Sequence, residues 1–375
     1  MNIDFLAPHR VLMQQGASQQ LPALITTLNA RSVLLVSDPG LEQLGMLDDV
    51  KASFSKAGVA LTCFTAVTAD PSDEVVLAAV AQAQACAADA IIGFGGGSPM
   101  DVAKLVAKLQ HPTNTQALED LYGIGQAQGE RLPLILVPTT AGTGSEATPI
   151  AIITTGATTK SGVVAPQLLP DIALLDATLT VGLPPAVTAA TGVDAMVHAI
   201  EAYTSKMKKN PMSDLLAREA LRVMAANIRT ATHEGSNLNA REQMLFGAHL
   251  AGQAFTNAPV AAVHALAYPL GGHFGVPHGL SNSLVLPEVV RFNKPSAQHW
   301  YAELAPLISS EPELDIALSR LIDDLELPTT LREVGVSEND LALLASDAML
   351  QQRLLVNNPR TVTEADALTI YQQVF

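Results

Sequence analysis

Short apolar runs alternate with helical repeats through the first half of the chain. Ser32–Ser37 (SVLLVS), Val59–Phe64, Asp89–Phe94 and Leu132–Val137 read as buried strands. Asp73–Ala87 and Ser98–Leu109 repeat their apolar residues at helical spacing. Strand and helix in this alternation predict a parallel sheet with helices on both faces. After about Leu183 the strand-like runs stop. Pro184-Pro185 opens a helical stretch, and helical periodicity continues to the C-terminus, broken at Asn210-Pro211, His233-Glu234-Gly235 and Pro328-Thr329. The pattern predicts an α/β domain over residues 1–183 and an all-helical domain over 184–375, with no internal repeat and no low-complexity segment.

Two loops at predicted strand ends carry candidate chemistry. Ile91-Ile92-Gly93-Phe94 runs into Gly95-Gly96-Gly97-Ser98-Pro99-Met100-Asp101, so a strand delivers the chain to glycines and a helix begins at once. Ser98 fits an N-cap, Pro99 the first helical position and Asp101 a capping-box acid. Glycines let backbone amides approach a ligand closely, and a helix start favours a pyrophosphate. A tight turn with no ligand would use the same residues, and the spacing is not the GxGxxG fingerprint. The second loop, Pro138–Glu146, packs Thr139, Thr140, Thr143 and Ser145 among two glycines. A plain hydroxyl-rich turn is the alternative there. Two such loops at consecutive strand ends point to a crevice at the carboxyl edge of the sheet. Asp38, closing the strand Ser32–Ser37, suits an adenosine ribose, or else shapes the turn Asp38-Pro39-Gly40.

Composition narrows the classes. The 375 residues are 48% hydrophobic and 15% charged, which is globular and not disordered. A formal net charge of −15 argues against nucleic acid. The basic run Lys206–Lys209 reads as a solvated loop. Cys63 and Cys86 are too few for a disulfide framework, and Cys86 reads as a buried structural thiol. Met1-Asn2-Ile3-Asp4 shows no leader pattern, and no apolar run reaches the roughly 18 residues of a spanning helix, so no membrane partner and a cytoplasmic location are expected.

Asp194 and His198 stand four apart on a predicted helix, on one otherwise apolar face. A lone histidine there would be a core residue, but a buried carboxylate one turn away calls for a compensating cation. The apolar segment Val263–Gly279 adds His264, His273 and His278. One Asp with imidazoles suits a borderline divalent ion, Fe(II) or Zn(II). Spacing alone does not decide which two histidines join Asp194 and His198.

In combination, Gly95–Asp101, Pro138–Glu146, Gly192-Val193-Asp194 with His198, and His264 with Pro277-His278-Gly279 resemble the iron-containing (group III) alcohol dehydrogenases, co-linearly over nearly the whole chain. The resemblance implies the dehydroquinate synthase-like architecture of an N-terminal dinucleotide-binding α/β domain and a C-terminal helical domain. It implies Asp194, His198, His264 and His278 as metal ligands. Gly95, Gly96, Gly97 and Ser98 would cradle the pyrophosphate, and Thr139, Thr140 and Thr143 would line the nucleotide site. Asp38 would meet the adenosine ribose, favouring NAD over NADP, and Lys160 would point toward the cofactor. Two positions depart from the family pattern: Asp70-Pro71-Ser72 replaces the frequent Asn-Pro-Thr, and Tyr268 stands where many members carry a histidine four residues after the third ligand.

The implied activity is hydride transfer between NAD(H) and a small alcohol or aldehyde, by a homodimer or larger assembly. For the proton relay, Tyr268 lies one turn beyond His264, and His273 is preferred because imidazole titrates where relays work. Sibling activities on the same scaffold, of glycerol dehydrogenase or maleylacetate reductase type, are the nearest alternatives. A metal-dependent hydrolase would leave both strand-end loops without a purpose.

Overall fold

The computed structural model describes residues 3–156 and 159–375. Met1 and Asn2, the first two residues of the Met1-Asn2-Ile3-Asp4 segment, lie outside the described residues. The chain divides into two compact units, one of residues 6–140 and 144–180, the other of 3–5, 141–143 and 181–375. The α/β unit therefore ends close to the change in periodicity, while three residues of the hydroxyl-rich loop pack with the helices.

In the α/β unit the strands are β1 (Arg10–Met13), β2 (Ser32–Val36), β3 (Ala60–Phe64), β4 (Ala90–Gly95), β5 (Gly123–Ile124), β6 (Leu134–Pro138), β7 (Ile150–Thr155), β8 (Thr159–Val164) and β9 (Ile172–Leu175). Six of them form one parallel sheet in the order β1-β9-β6-β4-β2-β3. The helices are α1 (Leu21–Thr27), α2 (Pro39–Gln43), α3 (Asp48–Ala57), α4 (Asp73–Ala85) and α5 (Gly97–Leu109).

Side chains alternate across each strand and so feed two cores. Val33, Leu35, Ile92, Phe94, Ile135 and Val137 meet Leu21 and Ile25 of α1 and Val50 and Phe54 of α3. Leu34, Val36, Ile91, Leu134 and Leu136 meet Val76 and Ala79 of α4 and Val102, Ala103 and Val106 of α5. Each buried Val, Leu, Ile or Phe among them contributes about 1.5–3 kcal/mol. This two-sided burial makes the strands continuous apolar runs in the sequence.

The chain leaves β2 toward β3 and leaves β4 toward β6, in opposite directions along the sheet. Between β2 and β4 lies the switch point, where ligands of open α/β sheets bind outside the strand ends. Asp38 follows β2, and the glycine loop follows β4.

Beside this sheet, β7 and β8 form an antiparallel pair, with β5 joining β8. This small sheet escaped the periodicity reading. Its segments, such as IAIITT, carry threonines on half-buried positions and lack the long apolar run of a buried strand.

The second unit is helical: α6 (Pro185–Thr204), α7 (Pro211–His233), α8 (Leu238–Asn257), α9 (Ala262–Phe274), α10 (His278–Ile308), α11 (Leu314–Asp324), α12 (Leu341–Ala348), α13 (Gln352–Leu355) and α14 (Glu364–Gln373). Asn210 caps α7 through the amides of Met212 and Ser213, with Pro211 at the first position. The basic run before it is not wholly solvated. Lys209 bonds Asp214 and lies 4.0 Å from the Tyr203 ring centroid. Cys86 is half-buried at the end of α4, not a core thiol. Among the described residues, no helix is long and apolar enough to cross a membrane.

Candidate metal centre and nucleotide loops

The α6 helix carries Asp194 and His198 one turn apart, both nearly fully buried. His264 lies in the first turn of α9. Gly275, with φ of 65°, ends that helix, and Pro277 starts α10 so that His278 is its first residue. One ligand atom from each of the four residues lies within 4.8 Å of all the others. Gly279 makes this possible. A Cβ there would stand 2.5 Å from the Ala190 carbonyl oxygen and 3.3 Å from Cβ of Asp194, so only glycine lets the start of α10 lie against α6.

Asp194 Oδ1 accepts a hydrogen bond from Asn282 Nδ2 at 2.6 Å and lies 3.6 Å from His278 Nε2. The rings of His198 and His264 stack at 4.8 Å, Phe255 stacks on His198 at 4.4 Å, and Tyr268 lies 5.9 Å from the His278 ring. Burial alone would raise the Asp194 carboxyl, but His278, His198, His264 and the Asn282 amide outweigh it and hold Asp194 below the usual carboxylate range. Burial pushes His198 down to about 3 against the pull of Asp194, so its imidazole is neutral, the form that binds a metal.

Two buried nitrogens decide whether these residues suit a metal. His198 Nδ1 and His264 Nε2 have no hydrogen-bond partner. An unsatisfied buried polar atom costs about 1–3 kcal/mol. Two of them beside a buried carboxylate fit a divalent cation, and the donor set of one carboxylate oxygen and three imidazoles suits Fe(II) or Zn(II).

In the α/β unit the two loops come together. Thr139 N donates to the Gly95 carbonyl at 2.9 Å. Thr140 Oγ1 lies 3.9 Å from the Cβ position of Gly96. Gly95 has φ of 149°, and a Cβ there would stand 2.8 Å from Pro99, so the position admits glycine alone. Asp38 Oδ1 accepts from Leu41 N at 3.0 Å, capping α2, and Oδ2 lies 3.4 Å from the Cβ position of Gly95.

The expected capping box does not form. The N-cap of α5 is Gly96, and no side chain caps it, which leaves the first amides of the helix to other partners. Ser98 is inside the helix. Asp101 instead accepts from Ser145 Oγ at 2.6 Å and from Ile152 N at 2.9 Å. Fully buried Lys104 donates to Ser145 Oγ at 2.7 Å, to the Ile150 carbonyl at 2.6 Å and to Thr148 Oγ1 at 3.2 Å. This network joins α5 to the end of the second loop. Tertiary hydrogen bonds to a loop displaced the local cap.

Residues 8–177 match the family model described as iron-containing alcohol dehydrogenase, and residues 188–375 match the model of the C-terminal part of the Fe-containing alcohol dehydrogenase family. The chain belongs to the iron-containing alcohol dehydrogenases. It is 40% identical over 371 residues to long-chain-alcohol dehydrogenase 1 of Geobacillus thermodenitrificans, covering 96% of this chain and 93% of that protein. The crystal structure of a 1,3-propanediol oxidoreductase superposes with a TM-score of 0.96 at 35% identity, covering 100% of both chains. A sulfoacetaldehyde reductase from Bifidobacterium kashiwanohense, solved in complex with NAD+, superposes with a TM-score of 0.90 at 27% identity, covering 100% of this chain and 99% of that one. The protein is accordingly an oxidoreductase of alcohols and aldehydes, and no relative supports a hydrolase.

In this iron-containing alcohol dehydrogenase His273, Lys160 and Thr143 have the following surroundings. His273 ends α9 and bonds Asp347. Nine residues after His264 is about two and a half turns, which sends it to the opposite side of the helix. Tyr268, one turn after His264, is the one in ring contact with His278. The Lys160 ammonium meets Asp70 Oδ1 at 2.5 Å and Thr154 Oγ1 at 3.2 Å, so the aspartate that departs from Asn-Pro-Thr holds this lysine. Thr143 belongs to the helical unit. Sequence reasoning missed Glu201, Asn282 and Lys104. Glu201 was within reach, since it follows His198 by three residues on the same helix.

Proposed function

We propose that this enzyme is an NAD(H)-linked, Fe(II)-dependent dehydrogenase of small primary alcohols and their aldehydes. The observation that carries the proposal is the convergence of Asp194, His198, His264 and His278 on one point, with two buried imidazole nitrogens left unpaired. When bound, the cation supplies Lewis acidity toward a substrate oxygen and the nicotinamide supplies the hydride donor or acceptor.

The chain's own residues do the rest. Asp194 contributes the negative charge that selects a cation, and the neutral imidazole of His198 keeps its lone pair into acid solution. His278, 43% exposed, is the ligand open to solvent, and the Tyr268 ring walls it. Phe255 packs on His198 and excludes water from that side. In the α/β unit the uncapped start of α5 and the backbone of Gly95–Gly97 suit a pyrophosphate. Asp38 Oδ2, beside Gly95, would accept from a ribose hydroxyl and repel a 2′-phosphate. Lys104 and Asp101 hold the two loops in register. The proposal extends, from the family resemblance, to a cytoplasmic homodimer or larger homo-oligomer, which light scattering on purified protein would read.

The substrates named for relatives define the test. Purified protein loaded with Fe(II) is assayed with NAD+ against 1,3-propanediol and longer n-alkanols, and with NADH against the matching aldehydes and sulfoacetaldehyde. Turnover of an alcohol–aldehyde pair supports the proposal. Fe(II)-loaded protein that binds NADH yet turns over none of them would sink it.

A further inference from the structure

Glu201 is buried on α6, three residues beyond His198, and holds no net place in the ligand set. Its carboxylate nevertheless meets three donors. Oε2 accepts from Ala261 N at 2.9 Å and contacts His264 Nδ1 at 2.7 Å, and Oε1 accepts from Val263 N at 2.7 Å. Ala261 is the N-cap residue of α9, so the two amides are orphan donors at the start of the helix that carries His264. No side chain of α9 itself caps that end. One carboxylate from another helix thus performs the cap and grips the ligand's ring in a single contact.

We propose that Glu201 is the positioning residue of the metal centre: it fixes His264 as the Nδ1–H tautomer, presents Nε2 to the cation, and sets the position of α9 relative to α6 at the ligand. The inference rests on the metal-centre reading above. A carboxylate has only acceptors, so the proton between it and His264 must sit on Nδ1. Nε2 then carries the lone pair, and Nε2 is the nitrogen that is buried without a partner.

Glu201→Gln separates these roles. An amide with its oxygen toward Ala261 and His264 turns its NH2 against Val263 N–H. Reversed, it donates to Nδ1 and drives the proton onto Nε2. Neither orientation satisfies all three contacts. Outer-shell changes of this kind cost about 10–100-fold in metal affinity.

The test measures the Co(II) dissociation constant of metal-stripped protein by chelator competition, with the visible spectrum of bound Co(II) reporting ligand geometry. It is done for Glu201→Gln alone and in a His264→Ala background, with circular dichroism of the stripped proteins confirming the fold. The expected result is a constant about 10–100-fold higher and an altered spectrum in the single variant. No further loss is expected where His264 is already gone, because a residue acting through another shows non-additive effects. An unchanged constant and spectrum in folded Glu201→Gln protein would overturn the inference, as would equal losses in both backgrounds. If Glu201→Gln does not fold, Glu201→Asp carries the same comparison, since it keeps the charge and is too short to keep all three contacts. Wild-type protein that fails to bind Co(II) would instead refute the metal-centre reading, so the two failures are distinguishable.

Discussion

Gly279→Ala tests the idea that the metal geometry depends on a backbone contact. The added methyl would stand 2.5 Å from the Ala190 carbonyl oxygen and 2.8 Å from its carbonyl carbon. Carbon contacts settle at about 3.5–4.0 Å, so the start of α10 must move off α6 by about 1 Å. Both obstacles are backbone, and no side-chain rotation relieves them. Overpacking of this kind costs about 1–3 kcal/mol. The larger effect falls on the centre, because His278 and Asn282 ride on α10 while Asp194 rides on α6. Metal sites tolerate errors of only about 0.2 Å in ligand distance. The expected outcome is a loss of metal affinity of at least about tenfold, equivalent to ~1.4 kcal/mol, beyond the loss of stability in the metal-free protein. Urea unfolding of stripped protein and chelator competition separate the two. Gly272→Ala is the control, since it lies on helix α9 with nothing within 4 Å of its Cβ position. It should leave metal binding intact and gain up to about 1 kcal/mol from helix propensity. Wild-type metal affinity in the Gly279→Ala protein would show that α10 finds another seat and that the reasoning fails.

Other outcomes follow from the same structure. Asp38→Asn retains an oxygen for the Leu41 cap and removes the charge, so the preference for NAD over NADP should narrow with little change in melting temperature; an unaltered ratio of kcat/KM would confine Asp38 to the turn. Lys104→Met strips the donor from Asp101, Ser145 and the Ile150 carbonyl and should destabilise the α/β unit by about 3–5 kcal/mol, measured by urea unfolding. Burial alone would raise Asp171, but Arg131 and the Leu134 amide outweigh it and hold the carboxyl below its usual range. A lowered folded pKa stabilises above the unfolded value of about 3.9 and is lost as pH falls through the folded value. Asp171→Asn should therefore flatten the fall in melting temperature below about pH 4, and an unchanged acid limb would exclude this pair as its source.

The sheet was legible because β2, β4 and β6, buried on both faces, are continuous apolar runs, and with the edge strand β3 they differ from their expected bounds by a residue or two. The edge strand β1 was not, since half its positions are exposed and its four residues carry no period. At the site, Asp194 and His198 share a helix face and can be read from spacing. His264 and His278 come from two further helices separated by a turn, and only tertiary packing joins them. Asp101 shows the limit of local rules: Ser98-Pro99-Met100-Asp101 spells a cap, and the acid left it for Ser145 and the Ile152 amide. Preferring His273 over Tyr268 weighed intrinsic acidity and ignored angle, and the helix turns His273 toward Asp347.

The central claim is that four side chains from three helices hold one catalytic divalent cation. The most direct measurement is the metal-to-chain ratio by elemental analysis, taken with NAD-linked alcohol oxidation, for wild-type and His278→Ala protein reconstituted with Fe(II). The account predicts about one ion per wild-type chain, and loss of ion and turnover together in His278→Ala, since three ligands hold it more weakly. A His278→Ala protein with full metal content and near-normal turnover would contradict it.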